Sequence, residues 1–285
     1  MAYEISLATA MGISVLFALS LNFITGFCGQ VSLGHAAFLG VGAYVSGMLL
    51  KAGWPLIATL PFAALAAGLV GIGVGLTSLR VRHDFLAITT MGVGFLFVGI
   101  VRQQDALGGE LGISGIPSSA LGKPGFLVLV IVCAALFALF SLLVRRSWMG
   151  RAFDAIAEDE DTARVLGIDV AGYKLAAFAI GTAVAGIAGA LYAQNIRFVG
   201  PDSFGFVESV TVLSMVIVGG IGSIAGVAVT AAVLSALPLW FQFIDDYKLL
   251  LYSALLFAMM RFCPDGLAGL ARRLMRRSTQ RGARP

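Results

Sequence analysis

Three stretches of this sequence are long, apolar and free of charge. Residues 5–24, 56–79 and 125–144 contain no Asp, Glu, Lys or Arg, and a helix needs about 20 apolar residues to cross the hydrocarbon core of a bilayer. Only 12% of the whole chain is charged, against about 25% in soluble domains. We therefore predict an all-α, polytopic membrane helical bundle with about 8–9 transmembrane helices. This composition excludes a disordered chain, a disulfide scaffold and a nucleic-acid-binding domain.

The breaks between apolar runs predict nine helices. These cover residues 5–24, 34–50, 56–79, 85–101, 125–144, 173–193, 209–220, 223–241 and 248–262. Glycines interrupt residues 209–222, so a helix there is either spanning or re-entrant. Residues 25–34 are too polar and too rich in glycine for a regular span. Such backbone survives at membrane depth only where protein or a wet cavity covers it.

Lys and Arg are unevenly distributed between the two sets of loops. With nine crossings, fourteen of the 19 Lys and Arg residues lie on one side and five on the other. The five are Lys51, Arg102, Lys123, Arg197 and Lys248. Because cytoplasmic loops carry the positive excess, segment 145–172 and the basic tail 263–285 are predicted to be cytoplasmic, and the 102–124 loop external. The Arg-rich tail is typical of an anionic-lipid anchor, with partner binding as the alternative.

Motifs for catalysis, nucleotide binding and metal binding are missing from the sequence. There is no Walker A pattern, the two histidines His35 and His83 are isolated, and the cysteines form no CxxC pair. Ser32 lies in QVSLG, which has Gln30 where a nucleophile elbow requires glycine. We therefore expect no catalytic residue, no metal site and no cofactor on this chain. No loop is long enough for a soluble domain, so residues 1–285 are predicted to form one transmembrane domain.

A small set of polar residues and glycines interrupts the apolar helices. They either line an uncharged translocation path or make hydrogen bonds and close contacts between helices. The predicted path residues are Asn22, Gln30, Ser32, His35, Thr89, Thr90, Gly220 and Gly222, with Gln194 and Asn195 as further polar positions. For His35 a structural hydrogen bond is favoured over a proton relay, because no carboxylate accompanies it. Gly71 and Gly75 have the spacing of a helix-packing motif.

Segment 145–172 carries the pattern of a surface helix. Ala152, Ile156, Ala163 and Leu166 form an apolar stripe, residues 158–161 form an acidic shoulder, and Gly167 is placed to end the helix. An ordinary charged loop is the simpler interpretation. The functional interpretation is a short helix that docks through its apolar residues into a groove of a soluble partner.

Six blocks of the sequence, in one order, resemble the permease subunits of branched-chain amino acid ABC transporters, LivM type. The blocks are GQVSLGHAAFLGVGAY (29–44), DFLAITTMGVG (84–94), GISGIP (112–117), GRAFDAIAEDEDTARVLGI (150–168), YKLAAFAIGTAVAGIAGALYA (173–193) and MVIVGGIGSIAG (215–226). The resemblance covers nearly the whole chain and implies a permease domain in the cytoplasmic (inner) membrane of a bacterium. A self-contained channel or facilitator for a small neutral solute is the alternative.

The resemblance also implies partners and a coupling site. The expected partners are a second permease subunit, identical or different, two ATP-binding subunits that use the ATP, and an external solute-binding protein. The solute is a branched-chain amino acid or a related one, with urea or another small solute as alternatives. The family's EAA-type loop, which docks into the ATPase, maps onto Asp161, Thr162, Ala163 and Gly167, with Asp in place of Glu and Thr in place of the first Ala. Glu158 and Asp159 precede it in the predicted coupling loop.

Overall fold

The computed structural model describes residues 2–78, 83–240 and 248–262, together with residues 266, 267 and 269. Its helices are α1 (Ala2–Asn22), α2 (His35–Lys51), α3 (Leu56–Ser78), α4 (His83–Gln103), α5 (Gly122–Arg146), α6 (Trp148–Glu158), α7 (Glu160–Val165), α8 (Val170–Ile196), α9 (Phe206–Gly219), α10 (Ile224–Trp240) and α11 (Lys248–Phe262). All nine predicted helices are present, so the all-α fold is confirmed. Apart from residues 266, 267 and 269, the predicted basic tail 263–285 lies outside the described residues.

The number of membrane-length helices is smaller than predicted. Within the described residues, six helices are long and apolar enough to cross a membrane, against the eight to nine expected. The difference comes from α2, α10 and α11, which have 17, 17 and 15 residues. At about 1.5 Å per residue, helices of this length fall short of a hydrocarbon core about 30 Å thick. The described residues are therefore those of a multi-pass membrane protein.

The polar stretch 25–34 is irregular backbone buried inside the protein. After α1 the chain continues as a π-helix, Phe23–Phe27, and residues 29–34 have no helical structure. The Thr25 hydroxyl donates a 2.9 Å hydrogen bond to the carbonyl of Gln30. Thr25, Gln30 and Ser32 are each at most 3% exposed. Protein therefore covers the polar side chains of this stretch, while Val31 is 41% exposed.

Small residues let α2, α3 and α8 approach closely. A Cβ atom on Gly186 of α8 would lie only 2.6 Å from the Cβ of Ala67 on α3, and a Cβ on Gly71 would meet Thr182 of α8. Gly189 of α8 faces α2 in the same way. Close contact between backbones is the usual basis of helix association in membranes, where lipid is as apolar as the side chains. The packing role predicted for Gly71 is confirmed.

The two ends of the bundle differ in structure. One end carries α6 and α7 and is called the α6–α7 face. The opposite face carries two short antiparallel strands, β1 (Ile113–Ser114) and β2 (Phe198–Val199). An ion pair of 2.6 Å joins Arg102, in the last turn of α4, to Asp202, which follows β2. These contacts hold the long 104–121 connection against the segment that follows α8.

Candidate functional sites

The segment between α5 and α8 forms two short helices, where the sequence pattern predicted one. Asp159 lies between them in extended conformation and caps α7. Its carboxylate accepts hydrogen bonds from the N–H of Asp161 at 2.8 Å and of Thr162 at 3.1 Å. Hydrogen bonds from Thr162, and then from the Asp161 N–H, lower the pKa of the Asp159 carboxyl below its ordinary value. Asp159 is therefore ionised at neutral pH and is a good N-cap for α7.

Gly167 ends α7, as predicted. Its φ angle is +81°, its N–H donates to the carbonyl of Arg164 at 3.0 Å, and the N–H of Ile168 donates to the carbonyl of Ala163 at 3.1 Å. This pair of hydrogen bonds is a Schellman motif, in which a left-handed glycine allows the chain to satisfy the last carbonyls of a helix. The turn fixes the angle at which the chain enters α8.

One side of α6 and α7 packs against the membrane helices. Ala152, Phe153, Ile156 and Ala163 are each at most 3% exposed, and the last three belong to the main hydrophobic core. Ala152, Ile156 and Ala163 form most of the stripe that was predicted to dock into a partner. That part of the prediction is wrong, because the chain's own helices cover these side chains.

The other side of α6 and α7 exposes large apolar residues. Trp148, Val165 and Leu166 are 66%, 87% and 71% exposed. The Arg164 guanidinium, next to Val165 in sequence, pairs with the carboxylates of Asp161 at 2.9 Å and Glu160 at 3.4 Å, and the Arg151 guanidinium lies 5.4 Å from the ring centre of Trp148. Exposed apolar residues with a polar rim are typical of a protein-binding surface. Of the predicted stripe, only Leu166 lies on this surface.

A buried ion pair between Glu160 and Lys174 joins α7 to the first turn of α8. The two side chains are 18% and 11% exposed. The prediction of a fully solvated acidic shoulder is therefore wrong for Glu160. Sequence reasoning used Lys174 only as a positive charge for orientation and missed this contact. The spacing of 14 residues gives no helical signal, so only the fold brings the two groups together.

Asn22 and Gly222 meet at the turn between α9 and α10. The N–H of Gly222 donates to Asn22 Oδ1 at 2.9 Å, and the Arg145 guanidinium donates to the Gly222 carbonyl at 2.7 Å. Gly220 and Gly222 have φ angles of +100° and +78°, which explains the use of glycine at both positions. Asn22, Gly220 and Gly222, three of the predicted path residues, thus lie close together. Arg145 at the end of α5 also contacts Gly222.

Four further predicted residues, Gln30, Ser32, His35 and Thr90, lie around the start of α2. His35 Nε2 and the Ser20 hydroxyl are 2.8 Å apart, and the N–H of Leu33 donates to Thr90 Oγ1 at 3.0 Å. Ser20 thus supplies the hydrogen bond favoured for His35. Among the described residues, no hydrogen-bond partner exists for three buried atoms of this segment: Gln30 Oε1, Ser32 Oγ and His35 Nδ1. Buried polar atoms in a native protein are usually satisfied, so these three call for water or a ligand.

The predicted path residues therefore form two clusters, not one line. Gln30, Ser32, His35 and Thr90 surround the irregular backbone before α2, and each is at most 2% exposed. Thr89 is half-buried on α4. Their role in translocation stays a prediction. Gln194 and Asn195 lie elsewhere, beside a cavity on the opposite face.

The sequence matches a transporter family over most of its length. Residues 4–260 match the family described as branched-chain amino acid transport system / permease component. The chain belongs to this family. The permease is 33% identical over 299 aligned residues to the high-affinity branched-chain amino acid transport system permease protein LivM of Escherichia coli K12, with 94% of this chain and 70% of LivM covered. The resemblance seen in the six sequence blocks is confirmed.

Other relatives of the permease carry different names. The permease protein LivH of Escherichia coli K12 is 27% identical over 280 residues, with 89% of this chain and 90% of LivH covered. The autoinducer 2 import system permease protein LsrC of Escherichia coli is 29% identical over 229 residues, with 74% and 61% covered. No solved structure matches the chain. The chain is a transport permease, and its relatives are named for chemically different solutes.

Proposed function

We propose that this permease forms part of the translocation path of an ABC importer for branched-chain or related amino acids, in the cytoplasmic membrane of a bacterium. It acts with a second permease subunit, two ATP-hydrolysing subunits and an external solute-binding protein, and it holds no cofactor itself. LivM and LivH are named as branched-chain amino acid permeases, which supports a branched-chain amino acid as the solute. The observation that carries the proposal is the exposed apolar surface of Trp148, Val165 and Leu166 on a helix pair fixed to the membrane bundle.

The α6–α7 pair has the properties of a rigid lever. Phe153 and Ile156 bury one side of α6 in the core, and the ion pair of Glu160 with Lys174 ties α7 to α8. The capped turns at Asp159 and Gly167 fix both ends of α7. A partner that binds the exposed side and changes its own conformation therefore moves the ends of α5 and α8 together. This arrangement supports coupling to an ATPase on another chain.

The coupling proposal is tested by placing charge on the exposed apolar surface. We expect the double variant Val165→Asp, Leu166→Asp to fold and insert normally, because both side chains are exposed. Association with the ATPase subunit should weaken at least about 30-fold, as for loss of interface residues worth about 2 kcal/mol. The measurements are co-purification of the ATPase and ATP-dependent uptake of labelled leucine into proteoliposomes.

A matched control lies on the opposite face. Leu111 is 86% exposed there, and Leu111→Asp should leave ATPase association unchanged. If the double variant keeps both the ATPase and ATP-dependent uptake, the coupling role of α6 and α7 is refuted. Passage of leucine by the isolated chain without ATP would instead favour a self-contained channel.

The buried segment before α2 is proposed as part of the path. Ser32 is fully buried, and among the described residues its hydroxyl has no partner. Because Ser32→Ala removes no protein hydrogen bond, we expect the free energy of unfolding to rise by up to about 1 kcal/mol, while leucine uptake falls. Ser209→Ala, which loses the 3.1 Å bond from the Ala36 N–H, should instead lower stability. Normal uptake by stable Ser32→Ala would remove Ser32 from the path.

A further inference from the structure

A polar cavity of about 330 Å³ opens on the face opposite α6 and α7. It lies where three membrane helices end: the first turns of α1, the start of α5 and the end of α8. Its lining includes Thr9, Lys123, Phe126, Gln194, Asn195 and Arg197. A cavity of this size lies at the small end of the range for ligand sites, about 300–1,000 Å³.

Two cations border the cavity. Lys123 is the second residue of α5, and Arg197 directly follows α8. Among the described residues neither side chain has an ion pair or hydrogen bond, in contrast to Arg102, which pairs with Asp202 on the same face. Two unpaired cations beside one cavity favour an anionic ligand, and the Arg guanidinium is well suited to a phosphate.

Gln194 supplies an independent indication of a ligand. The residue is 5% exposed, and its amide Nε2 donates to the Pro117 carbonyl at 2.9 Å. This bond fixes the amide in the cavity wall. Its Oε1 atom is buried and has no hydrogen-bond partner among the described residues. A group that satisfies this atom must donate a hydrogen bond, so the expected ligand carries a donor beside its anion.

The backbone of Arg197 is strained in a way that supports a role for its side chain. Its φ angle is +58°, and it is the sole non-glycine residue with positive φ in the part of the chain that the structure describes. Glycine is the usual residue at this position after a helix, because it adopts the left-handed conformation without strain. An arginine that is held in such a conformation at a cavity is a sign of function.

We propose that this cavity binds the headgroup of an anionic phospholipid of the glycerol-phosphate type. The phosphate lies between Lys123 and Arg197, and a headgroup hydroxyl donates to Gln194 Oε1. The position at the ends of three membrane helices favours a lipid over a soluble anion. On its outer side α5 exposes Val128, Ile131 and Val132 (60%, 53% and 44%), so this helix presents an apolar surface to the lipid.

The test uses the full-length permease together with the subunits that co-purify with it. Phosphatidylglycerol and phosphatidylcholine are titrated separately into the protein in neutral detergent, and bound lipid is counted by native mass spectrometry. We expect phosphatidylglycerol to bind preferentially. Lys123→Ala and Arg197→Gly should each weaken its binding about fivefold, the effect of one cation near a membrane surface. Arg197→Gly fits the observed backbone, so a failure to fold is not expected.

The control is Lys51→Ala, which removes an exposed cation from the end of α2 on the same face but outside the cavity. If Lys51→Ala weakens phosphatidylglycerol binding to the same extent, the lipid is attracted to positive charge anywhere on this face and not to the cavity. That result would overturn the proposal. Equal binding of phosphatidylcholine would also overturn it. Inorganic phosphate and glycerol 3-phosphate form the third arm. If they displace phosphatidylglycerol at equal concentration, the ligand is a soluble anion and the lipid assignment is wrong.

Discussion

At the residue scale, two positions that follow helices have a positive φ angle, and one of them is an arginine while the other is a glycine. Arg197 has φ +58° and Gly167 has φ +81°. We expect Arg197→Gly to raise the free energy of unfolding by about 1 kcal/mol, because glycine removes the left-handed strain. For a chain of this size the unfolding midpoint should rise by about 2–4 °C, measured in neutral detergent without added anionic lipid.

Arg197→Ala separates the backbone from the side chain. This variant removes the cation but keeps a Cβ atom in the left-handed region, so the midpoint should not rise. If Arg197→Ala and Arg197→Gly stabilise the permease equally, the gain comes from loss of the charge, and the argument from strain is refuted.

Gly167 makes the opposite case, because a glycine there is required by the turn. A Cβ atom on Gly167 would meet nothing within 4 Å, so Gly167→Ala should cost only the left-handed strain, about 1 kcal/mol. Gly167→Pro also removes the N–H that donates to the Arg164 carbonyl and forces φ to about −65°. We expect the proline variant to insert into the membrane but to lose ATP-dependent leucine uptake, while the alanine variant retains most of it. Normal uptake by Gly167→Pro would show that α7 transmits nothing.

At the element scale, the ion pair of Glu160 with Lys174 is one of the contacts that hold α7 against α8. Lys174→Met removes a charged partner of the largely buried Glu160 carboxylate, and we expect a loss of about 3 kcal/mol in stability. The double variant Lys174→Met, Glu160→Met should recover most of this loss, because no charge then remains buried. Chemical unfolding in detergent measures both.

Arg164→Met is the control for this cycle. Its ion pairs with Asp161 and Glu160 are on a side chain that is 59% exposed, so its loss should cost less than about 1 kcal/mol. If Arg164→Met costs as much as Lys174→Met, the buried pair does not hold α7 in place.

The elements differ in how well the sequence predicts them. The length of the unbroken apolar runs predicts each long helix, because every side of a membrane helix meets lipid or protein. The same signal fails for α6 and α7. It identifies Ala152, Ile156 and Ala163 as an apolar face but not what covers that face, and the cover is the chain itself. The break at Asp159 could have been predicted from the sequence. Asp is a common N-cap residue, whose carboxylate accepts hydrogen bonds from the N–H groups two and three residues later. The ion pair of Glu160 with Lys174 could not have been predicted, because it depends on how α7 folds back onto α8.

At the scale of the whole molecule, a hydrogen bond joins two irregular stretches that are distant in sequence. The π-helix after α1 and the turn between α9 and α10 meet at Gly26 and Gly222, and the side-chain Oδ1 of Asn22 accepts a hydrogen bond from the Gly222 N–H at 2.9 Å. Backbone groups at membrane depth need such partners, because lipid supplies none. The short helices and the predicted path residues lie around these stretches. The sequence located the polar stretches but could not show that they face one another.

The close packing of α3 with α8 can be tested with a single methyl group. Gly186→Ala would place its Cβ 2.6 Å from the Cβ of Ala67, and we expect overpacking to cost about 1–3 kcal/mol. Gly73 lies on α3 with nothing within 4 Å of its Cβ position. Gly73→Ala should therefore be neutral or stabilising by up to about 1 kcal/mol through helix propensity.

Unfolding midpoints of these two alanine variants, measured in the same detergent, give the comparison. Both variants replace a glycine by alanine on one of the two helices, but only the Cβ at residue 186 meets the other helix. A difference in stability therefore reports on the distance between α3 and α8. If the two variants have equal midpoints, α8 can move away from α3 at little cost. The ends of α8, which carry Lys174 on one face and border the Arg197 cavity on the other, would then be free to move independently of the bundle. A lower midpoint for Gly186→Ala means that α8 is fixed along its length, so that displacement of α7 reaches the opposite face through a rigid helix.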